Sequence, residues 1–273
     1  MIIKVEQIKS NLKNKFEIKV NNELKYLAGA PWMDINVPLN IDRVRSCIIT
    51  KIDESICYKT CYDIAENISN TAIPMKWVVT GEQKSLIFKI FDKENNSCGE
   101  FYKLTNDFFN TKYVIEYGNY KLKSYDISIG KTRNILIYKD DFQIAEIVKP
   151  LSVSNNLDCY YIFLLDEFSY LETILSFFTV FFDYQNYNSS GQVVANKEEV
   201  KFRYTYDKNN KLYDKNWILN HFDEQEVNLI NNQIQENRKN TTNKIKKQAK
   251  YIVSFIIFVW LIVLIIFGII YFG

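Results

Sequence analysis

The stretch YYIFLLDEFSYLETILSFFTVFFDYQNY, residues 160–187, is the most informative part of the chain, because its apolar side chains must be covered either by lipid or by protein. Each carboxylate near the centre of a bilayer costs about 2.5 to 3.5 kcal/mol, and Glu172 falls near the middle of the stretch. Apolar residues surround almost the whole helix and leave only a narrow, weakly polar strip. We therefore predict a helix over about 162–183 in the core of a folded domain, with a membrane span over 160–184 as the alternative.

The chain before this helix has the pattern of short β-strands joined by turns. KFEIKV, residues 15–20, alternates apolar and polar side chains. Asn, Asp and Gly turn signals divide three further segments into pairs of strands, which are residues 85–104, 112–127 and 134–150. A short helix is predicted around residues 60–70. Closely spaced turn signals of this kind are typical of an all-β sandwich or barrel.

The strand series ends in the apolar helix, and this order resembles a known fold. The segments are FEIKVNNELKYLA, LIFKIFDKENNSCGEFYKL, YVIEYGNYKLKSYDI and NILIYKDDFQIAEIVK, followed by YIFLLDEFSYLETILSFFTVFFDY. Together they resemble the tubby-like fold of the LURP-one-related and phospholipid-scramblase group, and bacterial members with a tubby-type C-terminal domain look most similar. The resemblance covers residues 1–188 and implies a mainly β protein, a closed antiparallel barrel around a central hydrophobic helix. No residue matches tubby's basic phosphoinositide pocket, so the resemblance assigns no site residue.

The C-terminal residues predict a membrane anchor. Residues 251–273 contain no charged side chain, and 23 residues at 1.5 Å each reach about 34 Å, enough for a hydrocarbon core of about 30 Å. A basic cluster without acids precedes them, and such clusters lie on the cytoplasmic side and attract anionic lipid headgroups. We expect a single-pass, tail-anchored membrane protein with a cytoplasmic N-terminal domain. The cluster consists of Arg238, Lys239, Lys244, Lys246, Lys247 and Lys250.

Two segments connect the predicted barrel to the predicted anchor. Residues 189–222 are a linker or form an extra hairpin around Asn209 and Asn210. Residues 223–250 form a polar, basic juxtamembrane helix, whose start is indicated by a capping box of Asp223 and Glu226. This helix either pairs with a protein partner or with its own copy, or acts as a spacer.

Residues with recognisable chemistry are few. The sequence has one histidine, His221, and lacks GxGxxG, GxxxxGK[ST], HExxH and CxxC, so we predict no catalytic residue, metal or cofactor. A net charge of +2 argues against nucleic acid as a partner. Asp166 and Glu167 on the core helix are the acids of interest, because acids near an apolar core either have raised pKa values that serve a function or lie at its mouth.

These patterns favour a non-enzymatic, tail-anchored membrane protein with a cytoplasmic tubby-like domain that binds a ligand, lipid or protein. Membrane lipids are then contacted through the anchor. The first alternative is a scramblase-like protein that moves lipids and has residues 160–184 in the bilayer. The second is an enzyme whose site assembles in space around Asp166 and Glu167.

Overall fold

Twelve antiparallel strands form one closed barrel in the structure, a computed structural model that describes residues 1–9, 15–29, 47–107, 110–127, 132–150, 157–187 and 207–272. The strands are β1 (Ile2–Lys9), β2 (Lys15–Val20), β3 (Glu23–Gly29), β4 (Ile48–Lys51), β5 (Ile56–Tyr62), β6 (Gln83–Phe91), β7 (Ser97–Asp107), β8 (Asn110–Tyr117), β9 (Tyr120–Ile127), β10 (Thr132–Lys139), β11 (Phe142–Pro150) and β12 (Cys159–Leu164). Each strand pairs with the next along the chain, and β12 closes the barrel against β1. The predicted closed antiparallel barrel is confirmed.

Tight turns of the barrel occur at Asn, Asp and Gly residues, as the turn signals in the sequence predict. Asn21 and Asn22 join β2 to β3 with φ values of 49° and 69°. Gly118 joins β8 to β9 with a φ of 56°, and Asp140 joins β10 to β11 with a φ of 54°. These residue types adopt left-handed backbone at low cost, which lets the two strands of each hairpin keep their twist.

Two short helices, α1 (Ile64–Thr71) and α2 (Trp77–Thr80), lie between β5 and β6. Asp63 caps α1, because its carboxylate accepts a hydrogen bond of 2.8 Å from the Glu66 backbone N–H. The helix predicted around 60–70 is therefore present. It begins at Ile64 because the residues before it pair as a strand with β4 and β6.

One helix fills the barrel. A 3₁₀ helix, Asp166–Leu171, leads into α3 (Glu172–Tyr187), and consecutive pairs of phenylalanines on α3 are buried. The ring of Phe181 lies 5.0 Å from that of Phe88 and 4.9 Å from that of Phe101 on the surrounding strands. Full burial of one such side chain contributes about 1.5 to 3 kcal/mol to the free energy of folding. The buried phenylalanines make α3 the centre of the hydrophobic core of the barrel. Glu172 is tolerated at its start because it accepts a hydrogen bond of 2.7 Å from the Tyr26 hydroxyl.

The helix starts later than the sequence indicated. Regular α-helix begins at Glu172 rather than near 162, and residues 159–164 form β12 instead. Tyr160, Ile162 and Leu164 point into the core, whereas Phe163 between them faces outward. Because both faces of this strand are buried, its sequence is apolar throughout and lacks the alternation that distinguishes a strand from a helix.

Residues 207–222, here named the strap, contact the outside of β9 to β12. The strap contains the short helices α4 (Asp207–Asn210) and α5 (Trp217–His221). The ring of Phe222 lies 5.3 Å from that of Phe163, and Trp217 is buried. Where a hairpin around Asn209 was expected, the chain makes a helical turn; residues 188–206 lie outside the described residues.

The C-terminal residues form one helix, α6 (Glu224–Phe272), rather than the two predicted over 223–250 and 251–273. The chain divides into two units, Met1–Val227 and Asn228–Gly273. In the ranges that the structure describes, we find no helix with an apolar run sufficient to cross a membrane. The predicted transmembrane helix is therefore wrong.

Candidate functional site

A cleft of about 330 Å³ opens where β1 begins and β12 ends. All its lining residues belong to the first unit of the chain, and we call it the Asp166 cleft. The residues that line it are Met1, Ile2, Asn21, Leu165, Asp166, His221, Phe222, Asp223 and Glu226. Its volume lies at the lower end of the range for small-molecule sites, about 300 to 1,000 Å³.

One wall of the cleft is built by β1 and the residues that follow β12. The Met1 amine donates hydrogen bonds to the Leu164 carbonyl at 2.8 Å and to the Asp166 carboxylate at 2.5 Å. The Ile2 N–H donates to Asn21 Oδ1 at 3.3 Å, which fixes the turn beside it. Asp166 remains 89% exposed despite its ion pair, so its carboxylate lies at the mouth of the barrel and is open to a ligand.

The other wall is the junction between α5 and α6. His221 Nδ1 lies 2.7 Å from the Trp217 carbonyl, which only accepts hydrogen bonds. Nδ1 therefore carries a proton and donates it to this carbonyl. Asp223 Oδ2 accepts a hydrogen bond of 3.0 Å from the Glu226 N–H, which caps the start of α6.

Acidic side chains outnumber basic groups in the lining of the cleft. Asp166, Asp223 and Glu226 contribute three carboxylates, whereas the basic groups among the lining residues are the Met1 amine and the His221 imidazole. A concave surface of one charge sign concentrates ligands of the opposite sign. In the described part of the chain, no group of three or more His, Cys, Asp or Glu side chains is arranged to hold a metal ion.

Of the acids selected from the sequence, Asp166 lines the cleft and Glu167 does not. The predicted basic cluster lies on α6, where Lys239, Lys246, Lys247 and Lys250 are exposed. The side chains of Arg238 and Lys244 lie outside the described residues. Binding of anionic headgroups by this cluster stays a prediction, as does pairing of residues 223–250 with a protein.

A carboxylate that sequence reasoning missed lies beneath the strap. Glu146 on β11 is 1% exposed, and neither of its carboxylate oxygens has a hydrogen-bond partner within the described residues. Burial raises the pKa of Glu146 to about 8, and the nearby Asp214 adds to the rise while Gln143 opposes it. The signal in the sequence is a single acid within the apolar run IAEIV, residues 144–148.

A second missed group, the Lys149 cluster, lies inside the barrel and comprises Lys149, Asp158, Tyr160 and Asp183. Lys149 Nζ lies 2.7 Å from Asp158 Oδ1, and the Tyr160 hydroxyl donates to Asp183 Oδ1 at 2.5 Å. Burial raises the pKa of Asp183 well above its ordinary range, and the neighbouring Asp158 raises it further. This cluster is the most deeply buried group of charges in the described residues, although no local motif marks it.

Comparison of the chain with family models, curated proteins and solved structures finds no match. The tubby-like resemblance therefore stays a prediction.

Proposed function

We propose that this chain is a binding protein of the tubby-like barrel type and that it holds a positively charged ligand in the Asp166 cleft. The family assignment is supported by the closed barrel of twelve antiparallel strands around a single apolar helix. Since α3 fills the barrel with aromatic side chains, the ligand is bound at the end of the barrel and not inside it. The excess of acidic over basic groups in the lining of the cleft is the observation that carries the proposal.

The cleft favours an organic cation over a metal ion. Its carboxylates come from separate elements, one after β12 and two at the start of α6. Phe222 and His221 also line the cleft and add an apolar ring and a ring that can form hydrogen bonds, which suit an amine with an aliphatic body. An amine can form charge-assisted hydrogen bonds with more than one carboxylate at once.

Isothermal titration of the full chain with spermidine tests the proposal. We expect binding that weakens as salt is added, because screening reduces attraction between exposed charges. Glu226→Gln removes a carboxylate of the cleft and should weaken binding about two- to fivefold, the effect of losing up to about 1 kcal/mol. Glu224→Gln is the matched control, because Glu224 stands on the same turn of α6, is exposed and does not line the cleft.

A second pair of variants addresses the opposite wall. Asp166→Asn should weaken spermidine binding, whereas Glu167→Gln on the neighbouring exposed residue should leave it unchanged. If all four variants bind spermidine as the wild type does, attraction comes from the general surface and the proposed site is refuted. Absence of binding in the wild type at low salt refutes it as well.

The alternatives drawn from the sequence are less favoured. A scramblase-like protein requires residues 160–184 in the bilayer, whereas the described residues of this stretch form β12 and the buried core helix. An enzyme built around Asp166 and Glu167 requires both acids in one site, and only Asp166 lines the cleft.

A further inference from the structure

The Lys149 cluster holds an amine and two carboxyl groups together where water has no access. Lys149, Asp158 and Asp183 are at most 1% exposed. Asp158 is fixed to β1 through Gln7, whose N–H donates to the Asp158 carbonyl at 2.8 Å and whose Oε1 accepts from the Asp158 N–H at 2.9 Å. Lys149 is held on β11, so the two side chains meet on paired, rigid elements.

Burial changes the chemistry of this pair. Removing an ammonium and a carboxylate from water costs several kcal/mol per ion, and their attraction offsets that cost only in part. The same desolvation favours the uncharged forms, an amine and a carboxylic acid, relative to water. A neutral amine is a nucleophile, whereas an ammonium is not.

We propose that Lys149 and Asp158 form an intramolecular amide bond, with Asp183 as the proton-transfer group. A proton first passes from the Lys149 ammonium to the Asp158 carboxylate, which leaves a neutral amine beside a carboxylic acid. Lys149 Nζ attacks Asp158 Cγ, and a C–N bond forms as the carbonyl electrons move to oxygen. Asp183 takes a proton from the nitrogen and returns one to the leaving hydroxyl, the C–OH bond breaks, and one water leaves. No electron donor or acceptor is required.

The positions of the groups match these roles. Nζ at 2.7 Å from Oδ1 is within reach of the adjacent Cγ, and productive attack distances are about 3 to 3.5 Å. The Tyr160 hydroxyl orients the Asp183 carboxyl, and the Tyr160 ring lies 5.6 Å from Nζ. Two thiols stand near the charges, Cys47 and Cys159, and burial raises their pKa values to about 12 and about 11, so neither competes as a thiolate. The amide product is uncharged and removes two buried charges from the core.

The mass of the denatured full chain decides the question. We expect the wild type to weigh one water less than its sequence requires, and a proteolytic digest to contain a branched peptide joining residue 149 to residue 158. Lys149→Arg cannot form the bond and should show the full mass. Asp183→Asn keeps the shape of the side chain and should slow bond formation on the order of 100-fold or more, as for loss of an acid–base group.

Glu146→Gln is the matched control, because it changes a buried carboxyl on β11 that lies outside the barrel, and it should still lose one water. A wild-type chain of full mass after prolonged incubation in the folded state overturns the proposal. A water loss that persists in Lys149→Arg also overturns it, because that loss would come from cyclisation of an aspartate. Circular dichroism of Asp183→Asn separates a folded chain without the bond from an unfolded one.

Discussion

Replacing Glu146 by Gln is expected to stabilise the chain in alkaline solution and to change little in acid. The pKa of Glu146 is about 8 in the fold against an ordinary 4.5, so the folded chain keeps a proton that the unfolded chain releases between those values. The stability that this group contributes is complete below about pH 4.5 and is lost as the pH rises to about 8. At about 1.4 kcal/mol per pH unit, the loss reaches about 5 kcal/mol.

Urea unfolding of the full chain, followed by tryptophan fluorescence, measures this effect, because Trp217 lies in the strap above Glu146. We expect Glu146→Gln and wild type to agree within about 1 kcal/mol near pH 5 and to differ by several kcal/mol near pH 9. The variant keeps a remaining pH dependence from Asp183, whose pKa is also raised by burial. Glu23→Gln, on an exposed residue of β3, is the control.

Equal losses of free energy of unfolding in wild type and Glu146→Gln between the two pH values would contradict this prediction. That result would mean that Glu146 is as well solvated in the folded chain as in the unfolded one. The strap would then not exclude water from this face of β11.

Two further predictions concern the barrel itself. Phe181→Ala should lower the free energy of unfolding by about 3 to 5 kcal/mol, because Phe181 is fully buried. Phe142→Ala, at a half-exposed residue, should lower it by less than about 1 kcal/mol. Similar losses for the two variants in urea titrations would argue against a core around α3. Gly99→Ala should abolish cooperative thermal unfolding, because an added Cβ would lie 2.0 Å from the Glu116 carbonyl oxygen. A Cβ at Gly118 meets no atom within 4 Å, so Gly118→Ala should lower the free energy of unfolding only by about 1 kcal/mol, for the positive φ of that residue. Equal melting temperatures of the two glycine variants would show that β7 and β8 are not as close as described.

The hairpins were predictable because their turns are local. Asn21, Gly118 and Asp140 each adopt left-handed backbone, and that requirement selects residue types that stand out in the sequence. The core helix was predictable because apolar side chains surround almost its whole circumference. The twelfth strand was not, since both of its faces are buried and only its pairing with β1 and β11 sets it apart from helix.

The sites were harder to predict than the fold. Asp166 was selected because an acid interrupts an apolar run, but its partners in the cleft, Asp223 and Glu226, meet it only after the strap has crossed the barrel. The predicted transmembrane helix rested on a charge-free run of 23 residues preceded by a basic cluster, and it is wrong, because none of the described helices meets the requirements for a span. Lys149 and Asp183 are also single charges within apolar segments. The criterion that selected Asp166 would therefore have selected them too and indicated a buried polar group.

Pairing of β1 with β12 sets the order in which this chain can fold on the ribosome. One edge of β1 stays unpaired until β12 is synthesised, and β12 begins at residue 159. Synthesis of that length takes about 10 to 30 seconds at 5 to 20 residues per second. The helix that fills the barrel emerges later still. A nascent chain that stalls before Glu172 therefore exposes an open sheet edge together with an apolar lining, the two surfaces through which chains aggregate. Synthesis of this protein should depend on a chaperone that holds the eleven earlier strands until the last strand and its helix arrive.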